Sequence, residues 1–162
     1  MRYLIVCGGK IDKEFGLNEI KTDGIDAIIA ADSGMDFLYE NGVTPDIIVG
    51  DFDSATTKAL EFFERKGQTE IHRLNPIKDD TDTEYAIRLA IREGARSIVL
   101  LGATGSRIDH VLGNISLLGI GLESGTDISI IDTNNRIRMA DKPVTIEKSA
   151  QYGRFVSLIA VT

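Results

Sequence analysis

Apolar residues in the first 125 positions fall into short unbroken runs, separated by stretches in which they recur every three or four positions. Unbroken runs at residues 3–6, 27–31, 47–49, 71–74 and 97–101 predict strands covered on both faces, because a half-exposed strand would alternate. Between them, helical spacing predicts crossovers. Phe37, Leu38 and Asn41 follow Asp32, whose short side chain can cap that helix. Leu60, Phe62 and Phe63 lie in a second helix, which Ser54 can cap. Ala86, Leu89 and Ala90 line one face of a third, whose start Thr81-Asp82-Thr83-Glu84 has the form of a capping box and whose end fits Gly94. A fourth runs from about His110 to Leu122, with Leu112, Ile115 and Leu118 or Gly119 toward the core. Strands alternating with helices in this way predict an α/β fold, a three-layer, Rossmann-like parallel sheet.

After Gly125 the pattern changes. Residues 128–131, 136–139, 144–147 and 155–161 read as strands joined by short turns, with no helix between them. That order predicts the start of an all-β sandwich or barrel. The expected organisation is therefore an α/β unit over residues 1–125 and a partial β-sandwich over 126–162. The last apolar run, residues 155–161, ends abruptly at Thr162, as a closing edge strand would or as an unfinished second unit would.

Composition narrows the partners. The chain has 162 residues, enough for a substantial core, and 25 acidic against 18 basic residues give a formal charge of −7. Such a balance speaks against sequence-independent nucleic-acid binding and against docking on an anionic membrane. Cys7 is the only cysteine, so no intrachain disulfide can form; a reducing cytoplasm is expected, with Cys7 a small buried thiol. No signal peptide is expected, since the run at residues 3–6 is far too short for one. No apolar segment approaches the roughly 20 residues that span a bilayer.

The candidate chemistry lies where these strands end. In open α/β sheets, ligands bind beyond the carboxyl ends of the strands. Three acidic strings stand at such positions: Gly50-Asp51-Phe52-Asp53-Ser54, Lys78-Asp79-Asp80-Thr81-Asp82 and Gly105-Ser106-Arg107-Ile108-Asp109-His110. Brought together, their carboxylates repel by roughly 1 kcal/mol per close pair in water and about 4 in a partly buried site. A divalent cation relieves that repulsion, and Mg²⁺ in particular pairs a few carboxylates with substrate phosphates. Asp51 and Asp53, two apart in extended backbone, point to one side. The same Asp-x-Asp string also fits an aspartyl-nucleophile phosphatase or a metal-holding glycosyltransferase. Asp82 and Glu84 suit a helix N-terminus on electrostatic grounds alone, so Asp79, ahead of the first turn, is the better ligand. Lys78 is a candidate phosphate contact. Ala31-Asp32-Ser33-Gly34 follows the second strand, where Gly34 lets backbone approach a phosphate and Asp32 can cap a helix or face a cation. The string Gly102-Ala103-Thr104-Gly105-Ser106-Arg107 is a glycine-rich loop that can cradle phosphates, although it is not a P-loop. Arg107 offers a planar fork, Asp109 can complete a metal site, Asn114 can bond ligand or loop, and His72 and His110 read as structural.

Taken in order, Ala31-Asp32-Ser33-Gly34 and the three acidic strings closely resemble the thiamine pyrophosphokinase family, also called thiamine diphosphokinases. The resemblance implies transfer of a diphosphate group from ATP to thiamine, giving thiamine diphosphate and AMP, with Mg²⁺ as cofactor, in a homodimer. It places Asp32, Asp51, Asp53, Asp79 and Asp109 around Mg²⁺ and the triphosphate, and Ser33, Gly34, Thr81 and Arg107 on nucleotide or phosphate oxygens. Asp82, Gly105 and Asn114 join the expected ATP contacts. Catalysis is expected of Arg107 and of Asp51 or Asp79 as the base, and metal binding of Asp51, Asp53, Asp79 and Asp109. The strand-rich segment after Gly125 is similar to the start of that family's β-sandwich. The sequence stops before the Ser-Asn-containing segment that helps form the family's thiamine pocket, so a truncated second domain is expected. The alternatives are a non-catalytic nucleotide- or thiamine-binding fragment and a phosphatase using Asp51.

Overall fold

The computed structural model of the protein describes residues 1–52, 56–75, 80–105 and 107–161. Its strands are β1 (Arg2–Val6), β2 (Ala27–Ala31), β3 (Ile47–Gly50), β4 (Glu70–Arg73), β5 (Ser97–Leu101), β6 (Asp127–Ile131) and β7 (Arg136–Arg138). They form one sheet in the order β4-β3-β2-β1-β5-β6-β7. All neighbours run parallel except β7, which is antiparallel to β6. The five expected strands match β1 to β5 to within one residue at either end.

The unbroken apolar runs have the predicted cause, because successive residues of β1 enter opposite cores. Tyr3, Ile5 and Cys7 pack on one face of the sheet, and Leu4 and Val6 on the other. Helices α1 (Lys13–Ile20), α2 (Gly34–Glu40) and α3 (Thr57–Lys66) cover the second face, through Phe15, Met35, Leu38, Ala59 and Phe63. Helices α4 (Asp82–Arg92), α5 (Ile108–Leu117) and α6 (Gly119–Ser124) cover the first, through Ala86, Ile87, Leu89, Ala90 and Leu118. Phe63, Met35, Leu38 and Ile87 are fully buried. Each such side chain contributes about 1.5–3 kcal/mol of transfer free energy.

The chain thus winds outward from β1 to β4, crosses back through α4, and continues on the far side of β1 with β5. The loops after β1 and β5 leave in opposite directions and open a crevice between them.

Several expectations are corrected. Residues 128–131 start no separate unit: β6 extends the sheet beside β5, with Ile128 opposite Ile98 and Ile131 opposite Leu101. A β-branched run looks alike in a parallel and an antiparallel sheet, and the open edge of β5 decided the matter. The sheet therefore continues past the boundary expected at residue 125. Residues 144–147 and 155–161 form no strand, and Val144, Ile146, Phe155, Leu158 and Ile159 are exposed. A lone apolar strand without a partner edge is not stable. No β-sandwich is present among the described residues.

Among the helices, α1 is additional to those expected; it is capped by Asp12, whose carboxylate accepts from the Phe15 N–H at 2.9 Å. The single helix expected from His110 to Leu122 is two, broken at Leu118, and Leu112 faces solvent. Ser33 rather than Asp32 occupies the cap position of α2, and Thr56 that of α3; Ser54 lies outside the described residues. The Thr81 cap is present, its hydroxyl accepting from the Glu84 N–H at 3.1 Å. Glu84 does not close the box, because its carboxylate pairs with Arg88 at 2.7 Å.

Candidate functional site

The crevice between β1 and β5 widens into a cleft of about 1440 Å³ at the carboxyl edge of the sheet. Its walls are the loops after β1, β2, β3, β5 and β6 and the first turns of α4 and α5. These elements meet closely because glycine allows it. A Cβ on Gly34 would lie 2.0 Å from the Val6 carbonyl, and one on Gly9 would lie 2.3 Å from the Gly102 carbonyl and 2.8 Å from that of Thr104. Within the fold, the approach that Gly34 permits is of α2 to β1.

On one wall, Asp32, Asp51 and Asp82 bring carboxylate oxygens within 4.8 Å of one another, and all three side chains are half-buried. Asp32 follows β2, Asp51 follows β3, and Asp82 opens α4. Two residues here adopt left-handed backbone that side chains rarely take, Asp32 with φ 49° and Phe52 with φ 65°. Such conformations cost of order 1–3 kcal/mol each and persist only where the surroundings impose them. Around Asp32 the imposing contacts are its own N–H, which donates to Val49 at 2.8 Å, and its carbonyl, which accepts from Met35 at 3.2 Å. Phe52 lies under the Arg73 guanidinium, 5.4 Å from the ring centre. A lever further out fixes the acidic loop's far end: the Thr56 N–H donates to Asp36 at 3.2 Å, and the Thr56 hydroxyl bonds the same carboxylate.

The donor set fits Mg²⁺. Bonds of ~2.1 Å put octahedral ligands ~3 Å apart when adjacent and ~4.2 Å apart when opposite. Small side-chain rotations bring three carboxylates within 4.8 Å into that range.

The other wall carries the glycine-rich loop. Asn114 donates to the Ala103 carbonyl at 2.8 Å, so of its two expected roles it takes the loop contact. Arg107 grips Asp109 with two bonds, Nε to Oδ1 at 3.3 Å and Nη2 to Oδ2 at 2.6 Å. Hydrogen bonding from Arg107 holds the Asp109 carboxyl below the usual carboxylate range, and the same contact raises the Arg107 pKa. Asp109, expected among the metal ligands, thus stands on Arg107 and outside the three-carboxylate group. Asp82, expected to touch the nucleotide, stands within that group. Ser33, Thr81 and Gly105 line the cleft. Asp53, Lys78, Asp79 and Ser106 lie outside the described residues.

Behind the cleft, Cys7 is buried and its thiol accepts from the Thr83 hydroxyl at 3.7 Å; burial pushes its pKa up to about 11. His72 bonds Tyr85 at 3.2 Å and Glu70 at 2.6 Å, the structural role expected of it. Sequence reading passed over Gly8, Gly9 and Lys10 after β1 and Asp132, Thr133 and Asn134 after β6, all of which line the cleft. The glycine pair directly after the first apolar run was a usable signal, since a switch-point strand needs a close turn there.

The profile described as thiamin pyrophosphokinase, catalytic domain, matches residues 21–130, more than half of the chain. The chain belongs to the thiamin pyrophosphokinase family. The thiamine pyrophosphokinase of Bacillus subtilis strain 168 is 37% identical over 111 residues, which are 68% of this chain and 51% of that protein. The crystal structure of thiamine pyrophosphokinase from Bacillus subtilis superposes with a TM-score of 0.73 at 32% identity, over 85% of this chain and 64% of the other. That from Geobacillus thermodenitrificans gives 0.69 at 31% identity, over 84% and 61%. The chain therefore spans about half the length of this curated thiamine pyrophosphokinase. Its mostly parallel sheet with helices on both faces is the α/β fold expected from the sequence. No helix among the described residues is long and apolar enough to cross a membrane.

Proposed function

We propose that this chain carries the nucleotide and metal site of a thiamine diphosphokinase, which transfers a diphosphate group from ATP to thiamine and releases AMP. The observation that carries the reading is the three-carboxylate group of Asp32, Asp51 and Asp82, facing a glycine-rich loop across a switch-point cleft. Membership of the family supports it.

Asp32, Asp51 and Asp82 would hold Mg²⁺, and the family resemblance assigns Asp53 and Asp79 to the same ion. When bound, the ion neutralises charge on the triphosphate and orients it for in-line displacement. Backbone amides of the loop after β5 cradle phosphate oxygens, and Arg107 turns its fork from Asp109 to the transferred group. Ser33, Thr81 and Gly105 contact the nucleotide from the cleft walls, and Asn114 acts through Ala103. Asp51 or Asp79 accepts the proton of the thiamine hydroxyl as its oxygen attacks the β-phosphorus. The bond from that phosphorus to the α-phosphate bridging oxygen breaks, and AMP leaves with the oxygen. Positioning and electrostatics supply most of the rate.

The homodimer implied by the family resemblance and the cytoplasmic location expected from the single cysteine belong to this reading. A lone buried Cys7 suits a reducing compartment.

The test mixes the protein with ATP, Mg²⁺ and thiamine, and follows nucleotides by chromatography alongside calorimetry of Mg²⁺-nucleotide binding. Binding of the Mg²⁺-nucleotide is expected, and turnover, where it occurs, gives AMP and thiamine diphosphate in equal amounts. Formation of ADP, or no binding of the Mg²⁺-nucleotide, overturns the proposal.

A further inference from the structure

Asp132 lines the same cleft as the three clustered carboxylates, yet its oxygens are committed elsewhere. Its Oδ1 accepts from the N–H of Asn134 at 2.7 Å, the N–H of Asn135 at 2.8 Å and the Asn135 side-chain amide at 3.0 Å. Its Oδ2 accepts from the same amide at 3.1 Å and from the Thr104 hydroxyl at 2.9 Å. A carboxylate offers about four lone-pair positions. Those of Asp132 are engaged by protein donors, and it stands outside the three-carboxylate group. Its carbonyl is held too, accepting from the Tyr152 hydroxyl at 2.6 Å while Arg136 stacks on the Tyr152 ring.

Thr104 is the residue through which this anchor reaches the cleft. It stands between Ala103, whose carbonyl Asn114 holds, and Gly105 on the cleft wall. Its own carbonyl leaves no room for a side chain on Gly9. The loop after β5 is thus pinned at adjacent residues, from α5 on one side and from the β6–β7 turn on the other. A loop that cradles phosphate through backbone amides gains affinity when those amides are already oriented, because no ordering is needed on binding.

We propose that Asp132 is a positioning residue that fixes the glycine-rich loop through Thr104 and so sets affinity for the polyphosphate of the nucleotide. This rests on the nucleotide site proposed above. Asp132 itself touches neither metal nor phosphate. Burial of the Asp132 carboxylate works to raise its pKa, but the bonds from Asn134, Asn135 and Thr104 outweigh that and hold it below the usual range. It therefore stays ionised and an acceptor for Thr104 throughout the neutral range.

The test compares the parent protein with Thr104→Val, Thr104→Ser and Asp132→Ala, each first checked by thermal melting. Amide hydrogen exchange over residues 102–105 is measured without ligand, and binding of Mg²⁺ with α,β-methylene-ATP is measured by calorimetry. Thr104→Val is expected to exchange faster and to bind about tenfold more weakly, the size of one lost hydrogen bond. Thr104→Ser, which keeps the hydroxyl, is expected to restore both, and Asp132→Ala to lose at least as much as Thr104→Val. Parent-like exchange or parent-like binding in Thr104→Val overturns the proposal even if Asp132→Ala fails to fold. Failure of the parent protein to bind the Mg²⁺-nucleotide overturns the proposed function instead, and the exchange comparison then decides by itself whether Asp132 holds the loop.

Discussion

The N–H of Asp32 donates to the carbonyl of Val49 at 2.8 Å, one residue beyond the last residue of β2. That bond carries the β2–β3 ladder into the cleft and holds Asp32 at φ 49°. Left-handed backbone disfavours a Cβ by roughly 1–2 kcal/mol, and glycine is exempt. Asp32→Gly is therefore expected to be about 1 kcal/mol more stable than Asp32→Ala, both having lost the carboxylate. Urea denaturation of the two variants checks this, and equal midpoints count against imposed strain.

Asp51→Asn and Asp82→Asn each remove one charge from the three-carboxylate group. Affinity for nucleotide at fixed Mg²⁺ should fall at least tenfold, and chelation of Mg²⁺ should bring the parent to the same level. Calorimetry with and without chelator separates these outcomes; parent-like binding in both variants would sink the metal role.

Arg107 holds the Asp109 carboxyl below its ordinary value. A depressed carboxylate contributes stability that is present above the unfolded-state pKa and lost as pH falls through the folded value. Arg107→Lys, which lacks the fork, should move the Asp109 titration back up. Binding of the nucleotide should do the same in the parent protein, as Arg107 turns to phosphate. Carbon-detected NMR of the Asp109 carboxyl reads both shifts.

Cys7 carries a pKa of about 11 against an ordinary 9.0, through burial. The stability this represents is fully present below the ordinary value and is lost as pH rises through the folded one. Denaturation midpoints should fall between pH 9 and 11, and less so in Cys7→Ala. At pH 8 an aromatic disulfide reagent should label the thiol only as fast as the protein opens.

Two glycines in helices should respond oppositely to alanine. On Gly34 a Cβ would strike the Val6 carbonyl at 2.0 Å, whereas on Gly113 it meets nothing within 4 Å. Gly34→Ala should cost about 1–3 kcal/mol or more, by forcing α2 off β1. Gly113→Ala should add about 0.5–1 kcal/mol through helix propensity. Thermal melts of the ligand-free variants decide the signs.

The strands β1 to β5 were legible because a two-faced burial leaves unbroken β-branched runs, a local signature. Residues 128–131 show the same signature, but which strand they join is set by the free edge of β5, a long-range fact. Helical spacing announced α5 without telling which stripe is buried: Ile115 packs inward while Ile108 and Leu112 face solvent. The acidic residues stood out by type, yet their grouping did not. Asp82 read as a helix N-terminus and is both that and a member of the cluster. Asp132 gave no signal, because its importance lies in Thr104, which is close only in the folded chain.

The order of strands in the sheet has a consequence for how the chain is made. Strand β1 is synthesised long before one of its two partners, β5, which pairs Ser97 with Arg2 and Leu101 with Val6. Until residues 97–101 have emerged, β1 carries a bare edge that includes Leu4, Ile5 and Val6, a feature apt to recruit a strand from another chain. The same seam forms the floor of the cleft. Nascent chains are thus most exposed to misassembly before the cleft exists, and closing the cleft is the step that ends the hazard.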